Sequence, residues 1–141
     1  MALQQIILIE FCLNRWVNKY QESDTMVSVE LIPGKKWIPI LFTPGTADYD
    51  EKPKASAEGI SYVCSLKCNF STDNEEKIKL ISFIEGRDII VRFKYNTGNY
   101  KIFGTKYFPA KLMANFENKT NSIFKLTLES NSIYRSRFLS I

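Results

Sequence analysis

The 141-residue sequence contains no histidine. That removes the base which serine and cysteine nucleophiles most often rely on, and with it Ser-His-Asp and Cys-His catalysis and any zinc site that needs an imidazole. Cysteine is scarce as well: Cys12, Cys64 and Cys68 are an odd number, which argues against a secreted disulfide framework and fits a reducing cytoplasm. Long apolar runs are missing, and none approaches the roughly 20 residues that a membrane helix requires. The apolar start LQQIILIEFCL carries Glu10 inside it and has Arg15 and Lys19 behind it, with no basic leader in front, so a buried first strand is expected there and no signal peptide.

What is present has ordinary globular proportions, 45% hydrophobic and 24% charged. A chain of this length is expected to form one domain, residues 1–141, and to bury about 70% of its unfolded surface. The net charge of +4 hides a division: residues 1–76 hold seven basic and eleven acidic side chains, and residues 77–141 hold twelve and four. Such asymmetry suits either a nucleic-acid face or two surfaces that attract when copies meet head to tail.

Alternation dominates the pattern. In ISYVCSLKCNFS, the residues Ile60, Tyr62, Cys64, Leu66, Cys68 and Phe70 alternate with Ser61, Val63, Ser65, Lys67, Asn69 and Ser71, which is the period of a strand with one buried face. Ile89, Val91, Phe93 and Tyr95 repeat it, as do Leu112, Ala114 and Phe116, then Phe124, Leu126 and Leu128. Ile7, Ile9, Phe11 and Leu13 begin the chain in the same way, and Val27, Val29 and Leu31 suggest a further short strand. The expected fold is mainly β, an antiparallel β-barrel or β-sandwich with one short α-helix. That helix falls at about 73–85, where Thr72 and Glu75 have capping-box spacing and Gly86 stands at the C-terminal position; a strand is the competing reading. Pro33, Pro39, Pro44 and Pro53 mark edge strands and loops, and residues 43–59 read as a long exposed loop.

Three stretches resemble chemistry. The glycines of YNTGNYKIFGT could cradle a phosphate, but a strand follows Gly98 where a phosphate loop needs a helix, so NTGN reads as a hairpin turn and Gly104 as a bulge or strand end. Cys64 and Cys68 on one strand would stand about 13 Å apart, too far to share a metal or a disulfide. The carboxylates of DYDE match no calcium loop and read as solvated. No catalytic, cofactor or metal-binding residues are assigned, and a non-enzyme is expected. Lys94, Lys101, Lys106 and Lys111 among Tyr95, Tyr100, Phe103, Tyr107 and Phe108 make a single-stranded nucleic-acid-binding β-domain the alternative function.

EGRDIIVRFKYNTGNYKIFGTKYFPAKL and FKLTLESNSIYRSRFL resemble small virion proteins from tailed phages and prophages of gut Bacteroides, including crAss-like phages. The shared features are the strand at 89–94, Gly98 with Tyr100, Gly104, Pro109 and the strand at 123–129, over about the last 55 residues. The N-terminal half has no counterpart in that pattern. The resemblance implies a non-enzymatic structural subunit of the virion, assembled in the bacterial host cytoplasm as a ring or connector of the neck or tail. It implies a homo-oligomer touching other neck and tail proteins, with no cofactor and no membrane. The expected assembly interface comprises Tyr49, Asp50, Glu51, Lys52 and Lys54 on the 43–59 loop and the basic Lys94, Lys101 and Lys106; the basic half either meets another subunit or lines a channel that DNA passes through.

Overall fold

The computed structural model describes residues 4–71, 75–118 and 122–139. Eleven strands follow in chain order: β1 (Ile6–Leu13), β2 (Val17–Glu22), β3 (Met26–Leu31), β4 (Ile38–Pro39), β5 (Asp48–Ser56), β6 (Gly59–Ser71), β7 (Ile89–Tyr95), β8 (Tyr100–Phe103), β9 (Lys111–Asn118), β10 (Ser122–Ser132) and β11 (Arg137–Leu139). A single 3₁₀ turn, Asn14–Trp16, joins β1 to β2, and the helix α1 (Glu75–Ile84) joins β6 to β7. A seven-stranded sheet runs β2-β3-β11-β8-β7-β1-β4, and a four-stranded sheet runs β5-β6-β10-β9. The fold is therefore mainly β with one helix, and every pairing within the sheets is antiparallel except that of β11 with β3.

The main core fills the space between the sheets. The inward residues of β6, Cys64, Leu66, Cys68 and Phe70, are buried, and so are Ile89, Val91 and Phe93 of β7 and Leu126 and Leu128 of β10. Tyr49 stacks on Phe93 and Phe103 across the layer, with ring centroids 4.6 and 5.4 Å apart. The opposite face of the seven-stranded sheet carries a second, smaller core of Cys12, Val27, Ile90 and Ile102, against which Trp16, Trp37 and Leu139 pack. This explains why β7 is apolar on both faces near its start. A sheet covered on both sides has no polar face to show there.

The expected hairpin and helix are both present. Lys94 pairs with Tyr100, and Gly98, at φ +121°, donates its N–H to the Tyr95 carbonyl at 3.0 Å. Gly104 follows the end of β8 at φ +64°, where an added Cβ would stand 2.5 Å from the Ala110 Cβ, so the chain can pass there only without a side chain. Helix α1 places Glu75 and Glu76 in its first turn and buries Ile81 and Ile84. The capping role expected of Thr72 lies outside the described residues.

Two expectations need correction. Residues 43–59 do not form a loop: β5 pairs with β6 from Asp48↔Lys67 to Ser56↔Gly59 and turns through two residues into Gly59 at φ +122°. Pro53, which lacks an N–H, is tolerated because β5 lies at the margin of its sheet. Only residues 40–47 remain as a connection, crossing between sheets with the Thr43 N–H bonded to the Asn69 carbonyl at 2.9 Å. The second correction concerns Ile7, expected in the core. A register shift between Ile6 and Leu8 turns the alternation over, burying Ile6 and exposing Ile7.

Nor do the two charge-biased halves of the sequence become two surfaces. Strands from the first half flank β11, β8 and β7 on both sides in one sheet, and in the other β5 and β6 lie beside β10 and β9. The topology interleaves the two halves in the larger sheet and sets them side by side in the smaller one.

Candidate functional site

The residues expected to form an interface separate into distinct environments. Along β5, Tyr49 and Glu51 are partly buried, whereas Asp50, Lys52 and Lys54 are exposed. The Tyr49 hydroxyl donates to Glu51 Oε1 at 2.8 Å, the Ser136 backbone N–H donates to the same oxygen at 2.8 Å, and Arg135 Nη1 approaches Oε2 at 3.3 Å. Burial alone would push the Glu51 carboxyl up, but hydrogen bonds from Ser136 and Tyr49 and the charge of Lys101 outweigh it and hold the group below its ordinary value. Glu51 thus ties β5 to the segment before β11. Tyr49 and Glu51 act as internal fasteners.

Lys94 and Lys101 occupy opposite faces of one sheet, because Lys101 pairs with the inward Phe93 and Lys94 with Tyr100. Lys101 sits over the Phe138 ring at 5.4 Å and Lys94 over the Tyr100 ring at 5.4 Å. The aromatics around them are largely committed. Phe103 is buried, Tyr95 packs against the core, and Tyr100 with Trp37 sandwiches the Arg92 guanidinium at 4.8 and 4.4 Å. Arg92 in turn holds Glu10 across the β1–β7 pair, with Nε and Nη2 both 2.9 Å from Oε1. Such a planar fork is held by stacking as much as by charge.

The thiols are free and buried. Burial pushes Cys12 and Cys68 up to about 12 and raises Cys64, which makes all three poor nucleophiles. Cys64 and Cys68 lie side by side on β6 only in sequence, with cross-strand partners Ser130 and Leu126. Among the described residues no group of three or more histidine, cysteine, aspartate or glutamate side chains converges as a metal would need, and no helix is long and apolar enough to cross a membrane.

Besides a polar groove of about 480 Å³ on the smaller sheet, whose lining includes Tyr49, Asp50 and Lys52 of the expected interface, two kinds of surface remain. One is apolar and lies at the sheet margins. Beside β1, Ile7 and Leu41 are 53% and 65% exposed over a groove of about 360 Å³ walled by Ile6, Leu8, Ile40 and Phe42. On the edge strand β9, Phe116 is 52% exposed although its ring meets that of Phe124 at 5.4 Å on the inward face, and Met113 is 58% exposed on the outward face. The near end of that edge is closed by the two residues that follow α1, since the Leu112 carbonyl accepts the Gly86 N–H at 3.4 Å and the Ala114 N–H donates to Glu85 Oε2 at 3.0 Å. The other surface is a polar cleft of about 450 Å³ where the end of β1, the start of β7 and the segment after β8 meet, lined by Leu13, Asn14, Arg15, Arg87, Asp88, Lys106 and Tyr107. Sequence reasoning named Lys106 and Tyr107 but not Arg15 or Arg87, because three distant segments form the cleft and no local pattern announces it.

Compared with known proteins, the chain matches no family model, no curated protein and no solved structure.

Proposed function

We propose that this chain is a non-enzymatic assembly subunit, repeated as a ring or connector at the neck or tail of a phage particle. The resemblance of its C-terminal half to small phage virion proteins supplies the setting. The observation that carries the assembly reading is a pair of exposed apolar sites, Ile7 with Leu41 beside β1 and Phe116 at the far end of the edge strand β9. A ring needs a heterologous contact, in which one surface of each subunit meets a different surface of its neighbour. Two separate patches of exposed apolar side chains at sheet edges supply such a pair, and edge strands that are only half covered are where sheets recruit further chains. The closed end of β9 fits the same reading. By covering Leu112 and Ala114, Glu85 and Gly86 after α1 leave the far part of the strand as the place for a neighbour and restrict the register in which it can dock.

Sedimentation velocity over a concentration series tests this. The unmodified chain should form closed oligomers, and both Leu41→Lys and Phe116→Lys should reduce it to monomer, the first with unchanged thermal stability and the second with only the loss that follows from its contact with Phe124. A chain that stays monomeric at high concentration, or oligomers indifferent to both substitutions, would defeat the reading. For the setting, the chain should be recovered from purified particles in whole-number multiples of the portal.

A further inference from the structure

The geometry points to a single-stranded nucleic-acid site in the polar cleft, with phosphate held by Arg15, Arg87 and Lys106 and an unpaired base stacked on Tyr107. Three cations and one carboxylate face this space. The carboxylate, Asp88, already has a counter-ion, with Lys111 Nζ 3.7 Å from its Oδ1. Arg15 and Lys106 form no ion pair among the described residues, so their charge is available to an anion. Arg87 is positioned by the last turn of α1: its Nε donates to the Phe83 carbonyl at 2.6 Å and its guanidinium lies 5.0 Å from the Phe83 ring centroid. That leaves its terminal nitrogens for a ligand.

The walls are fastened before anything binds. The Asn14 N–H donates to the Asp88 carbonyl at 3.0 Å and its Nδ2 to the Lys106 carbonyl at 3.1 Å, so one residue joins all three segments. Preorganisation of this kind spares the ligand the cost of ordering its site. Tyr107 is 63% exposed, yet its ring is held edge-on by Tyr20 at 5.7 Å and 85°. Lys106 Nζ lies over that ring, 5.7 Å from its centre, so a base stacks on the face that the ammonium leaves open; an aromatic held next to cations is the arrangement that single strands use, since any base can stack and the phosphates need no sequence. The volume lies within the roughly 300–1,000 Å³ of small-ligand pockets, and stacking on Tyr107 requires a base free of its duplex partner.

Fluorescence anisotropy with a labelled oligo-dT 12-mer and the full chain tests the site. Three phosphate contacts give a slope of log K against log salt of about −2, and removal of one cation lowers its magnitude by about 0.7. Arg15→Glu and Lys106→Glu should each weaken binding with that loss of slope, Tyr107→Ala should weaken it by about tenfold, and Lys94→Glu should leave it unchanged. Tyr107→Trp should retain binding and report stacking directly as quenched tryptophan fluorescence. Equal affinity for duplex DNA or for an abasic strand, competition by polyglutamate as effective as that by the oligonucleotide, or a loss of binding in Lys94→Glu alone would each overturn the proposal.

Discussion

Replacing Glu51 with glutamine separates a structural role from an interfacial one. In the folded chain the Glu51 side chain is only 15% exposed and its Oε1 accepts hydrogen bonds from the Ser136 N–H and the Tyr49 hydroxyl, each at 2.8 Å. Hydrogen bonds to a charged group contribute about 1.5–3 kcal/mol each, and a neutral amide of the same shape retains part of them. The expected loss is about 2 kcal/mol, a fall in melting temperature of roughly 6 °C for a domain of this size. Arg135 is exposed and adds nothing to this figure. The sign of the pH dependence follows from the depressed folded pKa. The unfolded chain takes up the proton first, at about pH 4.3, so the stabilisation by Glu51 is fully present above that pH and is lost as pH falls through the lower folded value. Urea unfolding at pH 7 and across the range below pH 4 reads this: the gap between the parent and Glu51→Gln should be about 2 kcal/mol at neutral pH and should close in acid. A gap that is constant with pH would refute the electrostatic argument. Unchanged stability combined with lost oligomerisation would return Glu51 to an interface.

Gly104→Ala combines a left-handed φ, costing about 1–2 kcal/mol, with overpacking against Ala110 of about 1–3 kcal/mol, so the urea midpoint should fall well below that of Gly98→Ala, where nothing lies within 4 Å; equal losses would contradict the close approach. Arg137→Ala strips Glu22 of a partner at 2.9 Å and Ser23 of another at 2.9 Å, and should cost about 3 kcal/mol; because β11 is what joins β3 to β8, amide exchange should rise most in β3, and an even rise throughout the chain would argue against that role. Cys12 and Cys68, with thiols pushed up to about 12 by burial, should resist an aromatic disulfide reagent at pH 8 until the chain is unfolded, and rapid labelling of the native chain would show that the strand placement is wrong.

The sequence disclosed most where side-chain period and turn chemistry agree. Along β6, six alternating apolar residues locate the strand, and Cys64, Leu66, Cys68 and Phe70 its buried face, while Ile60 at the hairpin end is 60% exposed; Gly98 locates the hairpin because that turn needs a positive φ that other residues avoid. Helix α1 was legible in part: the acidic first turn and Gly86 marked it, but the apolar positions between left a strand as the competing reading. β5 was concealed because its inward positions include Glu51, a carboxylate whose partners come from residues 135 and 136, and because Pro53 suggests a loop wherever the strand's edge position is unknown. Ile7 was misplaced by one bulge, which no periodicity records. Tyr49 turned inward with the β5–β6 register, and Lys94 and Lys101 divided between faces with the β7–β8 register. The cleft at Arg15, Arg87 and Lys106 depends on topology alone, since β1, β7 and β8 become neighbours only after the sheet has closed.

A mixing experiment tests the assembly account most directly. Leu41→Lys leaves the β9 patch intact and Phe116→Lys leaves the β1 groove intact, so an equimolar mixture retains one productive contact. Native mass spectrometry should then find each variant monomeric alone and the mixture at twice the subunit mass, with nothing larger. A mixture that remains monomeric, or one that builds the same oligomers as the unmodified chain, would show that these two margins do not meet.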